Sequence, residues 1–183
     1  MPKIKLVVWD LDNTLWNGTV YYTDKESIKL KSGTEAALKE LTKRGIINTI
    51  CSKNYYEDVD KMLEKFEIKK YFDGSEINWG LKSDNIKKLI KKYNVKANEV
   101  CFVDDDAFQR AEVLSQIPNL KAIELGDPLD ILALDFMKHE NETEEDKERV
   151  KILKEQRNRE EAEKNHKGNY KDFLMSCEIK MLI

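Results

Sequence analysis

The chain has 183 residues, 40% hydrophobic and 37% charged, with 32 basic and 35 acidic side chains for a formal charge of −3. That length and balance fit one soluble, folded domain that buries its own core, with room for a small appendage, and exclude a disordered chain. Near-neutral charge gives no basis for a nucleic acid partner, and no apolar run approaches the roughly 20 residues of a membrane span, so a cytoplasmic protein is expected.

Short apolar runs alternate with helical patterns. Residues 4–9 are apolar except for Lys5, which predicts a buried parallel strand. Residues 34–44 place Ala37, Leu38 and Leu41 on one face and stop at Gly45, a helix with its terminator. Residues 46–51 predict a second strand. Val59, Met62, Leu63 and Phe66 then repeat with helical spacing, as do Ile86, Leu89, Ile90 and Tyr93. Residues 100–103 predict a strand, 107–117 a helix, and 120–125 a further strand closed by Gly126-Asp127-Pro128. This βαβ spacing predicts an α/β fold: a Rossmann-like parallel sheet with helices on both faces, spanning residues 1–139. Residues 140–183 predict a separate extension. It contains a densely charged helix from Thr143 to Lys167, a short helix after Gly168-Asn169, and a strand-like tail from Ile179 to Ile183. Three widely spaced cysteines, Cys51, Cys101 and Cys177, contain no CxxC and argue against a disulfide framework or a zinc site.

The polar residues at the strand ends carry the chemistry. Asp10 and Asp12 follow the first strand, where ligands bind in open parallel sheets. Alone, the pair also reads as a polar turn. The second strand ends in Cys51-Ser52-Lys53-Asn54, a hydroxyl and amides at a helix start, which reads as an anion site or as a helix cap. Lys82 precedes the third helix and would neutralise a phosphate or simply face solvent. Asp104, Asp105 and Asp106 crowd one strand end; a divalent cation would relieve their repulsion, and an acidic helix cap is the plainer reading. Together the four sites offer a nucleophile, an acid/base, a phosphate cradle and a metal site on one edge of a sheet. Those are the parts phosphoryl transfer needs.

The stretch Asp10-Leu11-Asp12-Asn13-Thr14, followed in order by Ser52, Lys82 and Asp104/Asp105, resembles the four-motif pattern of the haloacid dehalogenase superfamily. The resemblance implies Asp10 as a phosphorylated nucleophile and Asp12 as general acid/base. It implies Ser52, Lys82 and Asn54 around the phosphoryl group. A Mg²⁺ ion would be held by Asp10, Asp12 through its carbonyl, Asp104 and Asp105. Asn13-Thr14-Leu15-Trp16-Asn17-Gly18, Asn78-Trp79 and Asp172-Phe173-Leu174 add a narrower similarity to the FkbH-like group of the capless subfamily IIIC. Its members resemble enzymes that load a glyceryl unit onto an acyl carrier protein. Asp106 stands where that group usually has Asn, and the group typically continues into an acyltransferase-like domain.

Neither interval between motifs is long enough for a lid domain. Trp16, Asn17, Tyr21 and Tyr22 would lie in a small flap, contacting the leaving group or packing locally. Cys51 reads as a small core residue rather than an acyl-carrying thiol, since neighbours on a strand alternate faces. The leading expectation is a Mg²⁺-dependent phosphatase with an open site, acting on a phosphorylated small molecule or a protein-tethered group. The alternatives are a glyceryl- or acyl-loading enzyme and a non-catalytic binding module on the same fold. A receiver domain fits the motif order poorly.

Overall fold

β1 (Leu6–Trp9) is buried along its whole length, as an apolar run without alternation must be when both faces of its sheet are covered. In the computed structural model, which describes residues 3–138 and residues 148, 151, 152 and 155, this strand is the centre of a five-stranded sheet. It pairs in parallel with β4 (Ile47–Ser52) on one side and β6 (Val100–Val103) on the other. β5 (Ser75–Ile77) and β7 (Lys121–Ile123) extend the sheet, also in parallel, to give the order β5-β4-β1-β6-β7.

Four helices make the crossovers: α1 (Thr34–Lys43), α2 (Tyr56–Lys65), α3 (Lys82–Tyr93) and α4 (Ala107–Gln116). The chain steps outward from β1 to β4 and β5, then returns to β6 on the far side of β1. Right-handed crossovers therefore put α1 and α2 on one face and α3 and α4 on the other, and α3 does pack on α4. The reversal opens a crevice at the carboxyl ends of β1 and β6, where such sheets bind ligands. A two-stranded antiparallel ribbon, β2 (Trp16–Asn17) with β3 (Lys29–Leu30), lies between β1 and α1 in the chain.

The expected α/β sheet is present. Its second strand starts and ends one residue later than predicted, and the last strand is shorter. β5 and the β2–β3 ribbon escaped prediction because each is only two or three residues long and none is fully buried, so no apolar run marks them. Buried polar groups in the core are paired. The Trp9 Nε1 donates to Asn48 Oδ1 at 3.0 Å, and Asn48 Nδ2 donates to the Leu38 carbonyl at 3.3 Å and Thr42 Oγ1 at 3.1 Å. This network fastens α1 to the centre of the sheet. The predicted charged helix, short helix and terminal strand lie outside the described residues, apart from helical positions 148, 151, 152 and 155. Among the described residues no helix is long and apolar enough to cross a membrane.

Phe102 is fully buried on β6, two residues before Asp104. Phe102→Ala should lower stability by about 3–5 kcal/mol. The check is a lower midpoint in urea with an unchanged slope.

Candidate active site

The chain turns tightly as it leaves β1. One carbonyl, that of Leu11, accepts the amides of Thr14 at 3.1 Å, Leu15 at 2.9 Å and Trp16 at 3.4 Å. Asn13 takes the left-handed conformation this requires, at φ 55°, and its side-chain oxygen accepts the Gly18 amide at 3.0 Å. Through this turn Asp10 and Asp12 both line a cleft of ≈ 210 Å³, with Ser52, Lys82, Asp104 and Asp105 among its other walls.

Lys82 is the first residue of α3 and is buried. Its Nζ donates to Asp10 Oδ1 at 2.7 Å and to Asp104 Oδ2 at 2.5 Å. Burial works against the ammonium, but the two flanking carboxylates outweigh it and raise its pKa. Lys82 is therefore a buried, permanently charged cation rather than a surface lysine. Asp104 follows β6 and is buried too; burial, then the Asp10 charge, pushes its carboxyl up to about 6 despite the bond to Lys82. Asp105 as a whole residue is exposed, but its carboxyl is partly withdrawn from water, and this, with the Asp10 charge, raises its pKa.

Asp10, Asp104 and Asp105 each offer an oxygen within 4.8 Å of the others. This hard, all-oxygen donor set with excess negative charge fits Mg²⁺. The Asp12 carboxylate stands outside the cluster. Its Oδ1 accepts Trp16 Nε1 at 2.9 Å and the Val20 amide at 3.1 Å, and its Oδ2 accepts Asn54 Nδ2 at 3.0 Å. Burial raises the Asp12 pKa, while these donors partly offset it. Ser52 ends β4, buried, with its Oγ accepting Asn54 Nδ2 at 3.1 Å. Asn54 thus joins Ser52 to Asp12. Asp106 caps α4 by accepting the Phe108 amide at 2.8 Å, and its own amide donates to Asp104 Oδ1 at 2.8 Å.

Of the two readings of the flap, Trp16 takes local packing. It is fully buried against Phe66 and holds Asp12, because the ribbon folds its ring inward. Cys51 is buried with its Sγ 3.9 Å from the Lys82 carbonyl, and burial pushes its thiol up to about 12, which suits the core reading. Several residues support the site through contacts that the sequence does not show. Thr14 Oγ1 accepts the Asp105 amide at 3.2 Å and lies 3.5 Å from Asp10 Oδ2, stitching the β1 and β6 loops together. Arg110 donates to the Asp104 carbonyl at 2.8 Å, and Glu112 accepts both the amide and hydroxyl of Ser83, fixing the helix turn that carries Lys82. Gln109 and Lys53 line the cleft. The partners of Arg110 and Glu112 are set by the packing of α4 against its neighbours, which spacing along the chain does not reveal.

A parallel sheet with carboxylates at two adjacent strand ends and a lysine between them defines the class of enzyme. The chain belongs to the haloacid dehalogenase-like hydrolases: the family's sequence profile matches residues 18–110. It is 28% identical to human Magnesium-dependent phosphatase 1, over 56% of this chain and 68% of that protein. Among solved structures, it is similar to the N-terminal part of a Bacteroides fragilis protein containing a phosphatase domain complexed with Mg. Identity is 28%, the TM-score is 0.64, and 74% of this chain is covered. This chain spans 40% of the length of that one. A haloacid dehalogenase-superfamily hydrolase of Geobacter sulfurreducens shares the fold at 13% identity, with a TM-score of 0.60 over 74% of this chain and 97% of its own.

The Asp104 shift has a measurable consequence. The native state holds its proton to about 6, above the ordinary 3.8, so the stability that proton contributes is lost as pH rises through about 6. A bound cation needs the carboxylate and replaces what is lost. Added Mg²⁺ should therefore raise the thermal midpoint clearly at about pH 7.5 and much less at about pH 5, as scanning calorimetry can read.

Proposed function

We propose that this protein is a Mg²⁺-dependent phosphatase that works through an aspartyl-phosphate at Asp10 in an open, capless site. The observation that carries this reading is the buried Lys82 ammonium held between Asp10 and Asp104, with Asp105 beside them. The similarity to human Magnesium-dependent phosphatase 1 and to the Mg-complexed phosphatase domain supports both the cofactor and the reaction class.

In this reading an Asp10 oxygen attacks the phosphorus, and the bond from phosphorus to the leaving oxygen breaks. Asp12, its pKa raised by burial and its carboxyl aimed by Trp16, Val20 and Asn54, gives its proton to that oxygen. It then takes a proton from the water that attacks the aspartyl-phosphate, which returns Asp10 and releases inorganic phosphate. Lys82 and the Ser52 hydroxyl hold the phosphoryl oxygens. Asp10, Asp104, Asp105 and the Asp12 carbonyl would hold the metal. Bound Mg²⁺ would screen the repulsion between the Asp10 carboxylate and the phosphate dianion. Between β1 and β4 the chain holds only the ribbon and α1, and between β4 and α3 only α2 and β5 with a short 3₁₀ turn, Lys69–Tyr71, which supports a site without a lid. Such a site admits a phosphorylated small molecule or a group tethered to a protein in the cytoplasm.

The FkbH-like alternative, with an acyl carrier protein as partner, shares this open mouth. The buried Cys51 thiol offers no nucleophile for an acyl step at neutral pH.

The test is phosphate release with Mg²⁺ from a panel of phosphomonoesters and acyl phosphates. Asp10→Asn should abolish release, and Asp12→Asn should slow it by about 10²–10⁴-fold. An acyl mass gain in place of phosphate release would favour the loading enzyme. Neither outcome across the panel would leave a binding module.

A further inference from the structure

Four aromatic rings close in sequence to residues that contact Asp12 or Ser52 are about half exposed or more: Tyr21 at 52%, Tyr22 at 83%, Tyr55 at 50% and Trp79 at 53%. They come from three separate segments yet form one cluster. Tyr21 lies 4.7 Å from Tyr22, 5.8 Å from Tyr55 and 6.1 Å from Trp79, and Tyr55 lies 5.6 Å from Trp79. Exposed rings gathered this way leave apolar faces in water, which monomeric proteins rarely do without use. Among the described residues, the lysines that sit over rings are at Tyr71, Phe102, Tyr93 and Phe136, so these four faces carry no cation.

Each segment is tied to the site by a neighbouring residue. Val20, next to Tyr21, donates its amide to Asp12. Asn54, next to Tyr55, donates to the other Asp12 oxygen. Asn78, next to Trp79, donates its amide to the Ser52 carbonyl at 3.2 Å. Asn78 is itself locked, its Oδ1 accepting Gly80 N at 2.9 Å and the buried Asn85 Nδ2 at 2.8 Å. The flap is pinned on α2, where Lys25 pairs with Asp58 and Lys65 Nζ donates to the Lys25 carbonyl at 2.9 Å. The rings are thus held in place before any ligand arrives, which lowers the ordering cost of binding. Two of the three anchors are the groups that clamp Asp12, so the cluster lies on the Asp12 side of the cleft. If Asp12 protonates the leaving oxygen, that is the side from which the leaving group departs.

We infer that Tyr21, Tyr22, Tyr55 and Trp79 form the leaving-group subsite, and that it takes a flat, uncharged, ring-bearing alcohol portion of the phosphorylated substrate. This inference rests on the phosphatase reading for its choice of occupant. The rings touch the part of the substrate that does not react, so they set specificity and take no part in bond making.

Benzyl phosphate and ethyl phosphate test it, because both release a primary alcohol and differ mainly in the ring. The wild-type protein should prefer benzyl phosphate by about tenfold or more in kcat/KM, mostly through KM. The Tyr21→Ala/Trp79→Ala double variant should bring that ratio close to one. Leu129→Ala, an exposed apolar residue outside the cluster, should keep the wild-type ratio. No preference in the wild type, or a preference the double variant retains, overturns the inference and leaves the phosphatase reading standing.

A second measurement needs no turnover. Trp9 and Trp16 are fully buried, so quenching of tryptophan fluorescence by acrylamide reports on Trp79. Benzylphosphonate should shield Trp79 and ethylphosphonate should not. If neither ester is hydrolysed, the phosphatase reading is judged on the wider panel, and this shielding alone decides the subsite. A wild-type dimer that the double variant dissolves would show a second copy of the chain on these rings and would also overturn the inference.

Discussion

One buried ammonium organises this site. Lys82 is withdrawn from water and can stay charged only because Asp10 and Asp104 flank it. The converse matters as much. Three carboxylates converge around the Lys82 ammonium, and burial together with the Asp10 charge pushes the Asp104 carboxyl up to about 6. Removing one charge from such a group leaves the others uncompensated, while adding a divalent cation completes it. The sheet order follows from the same requirement. Placing β1 beside β6 brings the ends of the two strands together, and the crossover from β5 delivers the start of α3, with its lysine, between them.

Two carboxylates lie two residues apart yet meet different surroundings. Asp10 faces the ammonium and the other acidic groups, whereas Asp12 is gripped by three uncharged donors from three places in the chain. In the proposed mechanism the carboxylate facing the ammonium would be the nucleophile, and the one buried among neutral donors would exchange the proton. This separation of environments is how paired carboxylates divide nucleophilic and proton-transfer work. It depends on the single turn around the Leu11 carbonyl, which ends the strand after Asp10 and gives Asp12 its own set of donors, where a continuing strand would set both side chains on one face.

Much of this was legible in the sequence, and for physical reasons. Two of the three inner strands of the sheet announce themselves because a strand buried on both faces tends to be apolar throughout, as residues 6–9 and 100–103 are. Asp10, Asp12, Ser52, Lys82, Asp104 and Asp105 could be named because strand ends fix where the chemistry sits, and the structure brings all six to one cleft. Asn54 was expected beside a phosphoryl group, and its amide reaches Asp12 and Ser52. The illegible part consists of long-range pairings. Trp16 is one of several aromatic residues near the ribbon, and only the fold distinguishes it, buried against Phe66, from exposed Tyr21 and Tyr22. Glu112 and Arg110 read as ordinary helical charges until α4 is packed. The aromatic cluster is assembled from positions 21, 22, 55 and 79, which no local pattern connects.

The central claim is that Asp10 itself becomes phosphorylated. Rapid acid quenching during turnover of a radiolabelled acyl phosphate with Mg²⁺, followed by peptide mapping, tests it directly. Label should appear on the peptide carrying Asp10, as an acid-stable, base-labile acyl phosphate, and should form and decay at rates matching turnover. Steady release of phosphate with no labelled peptide, or label on any other residue, would contradict it.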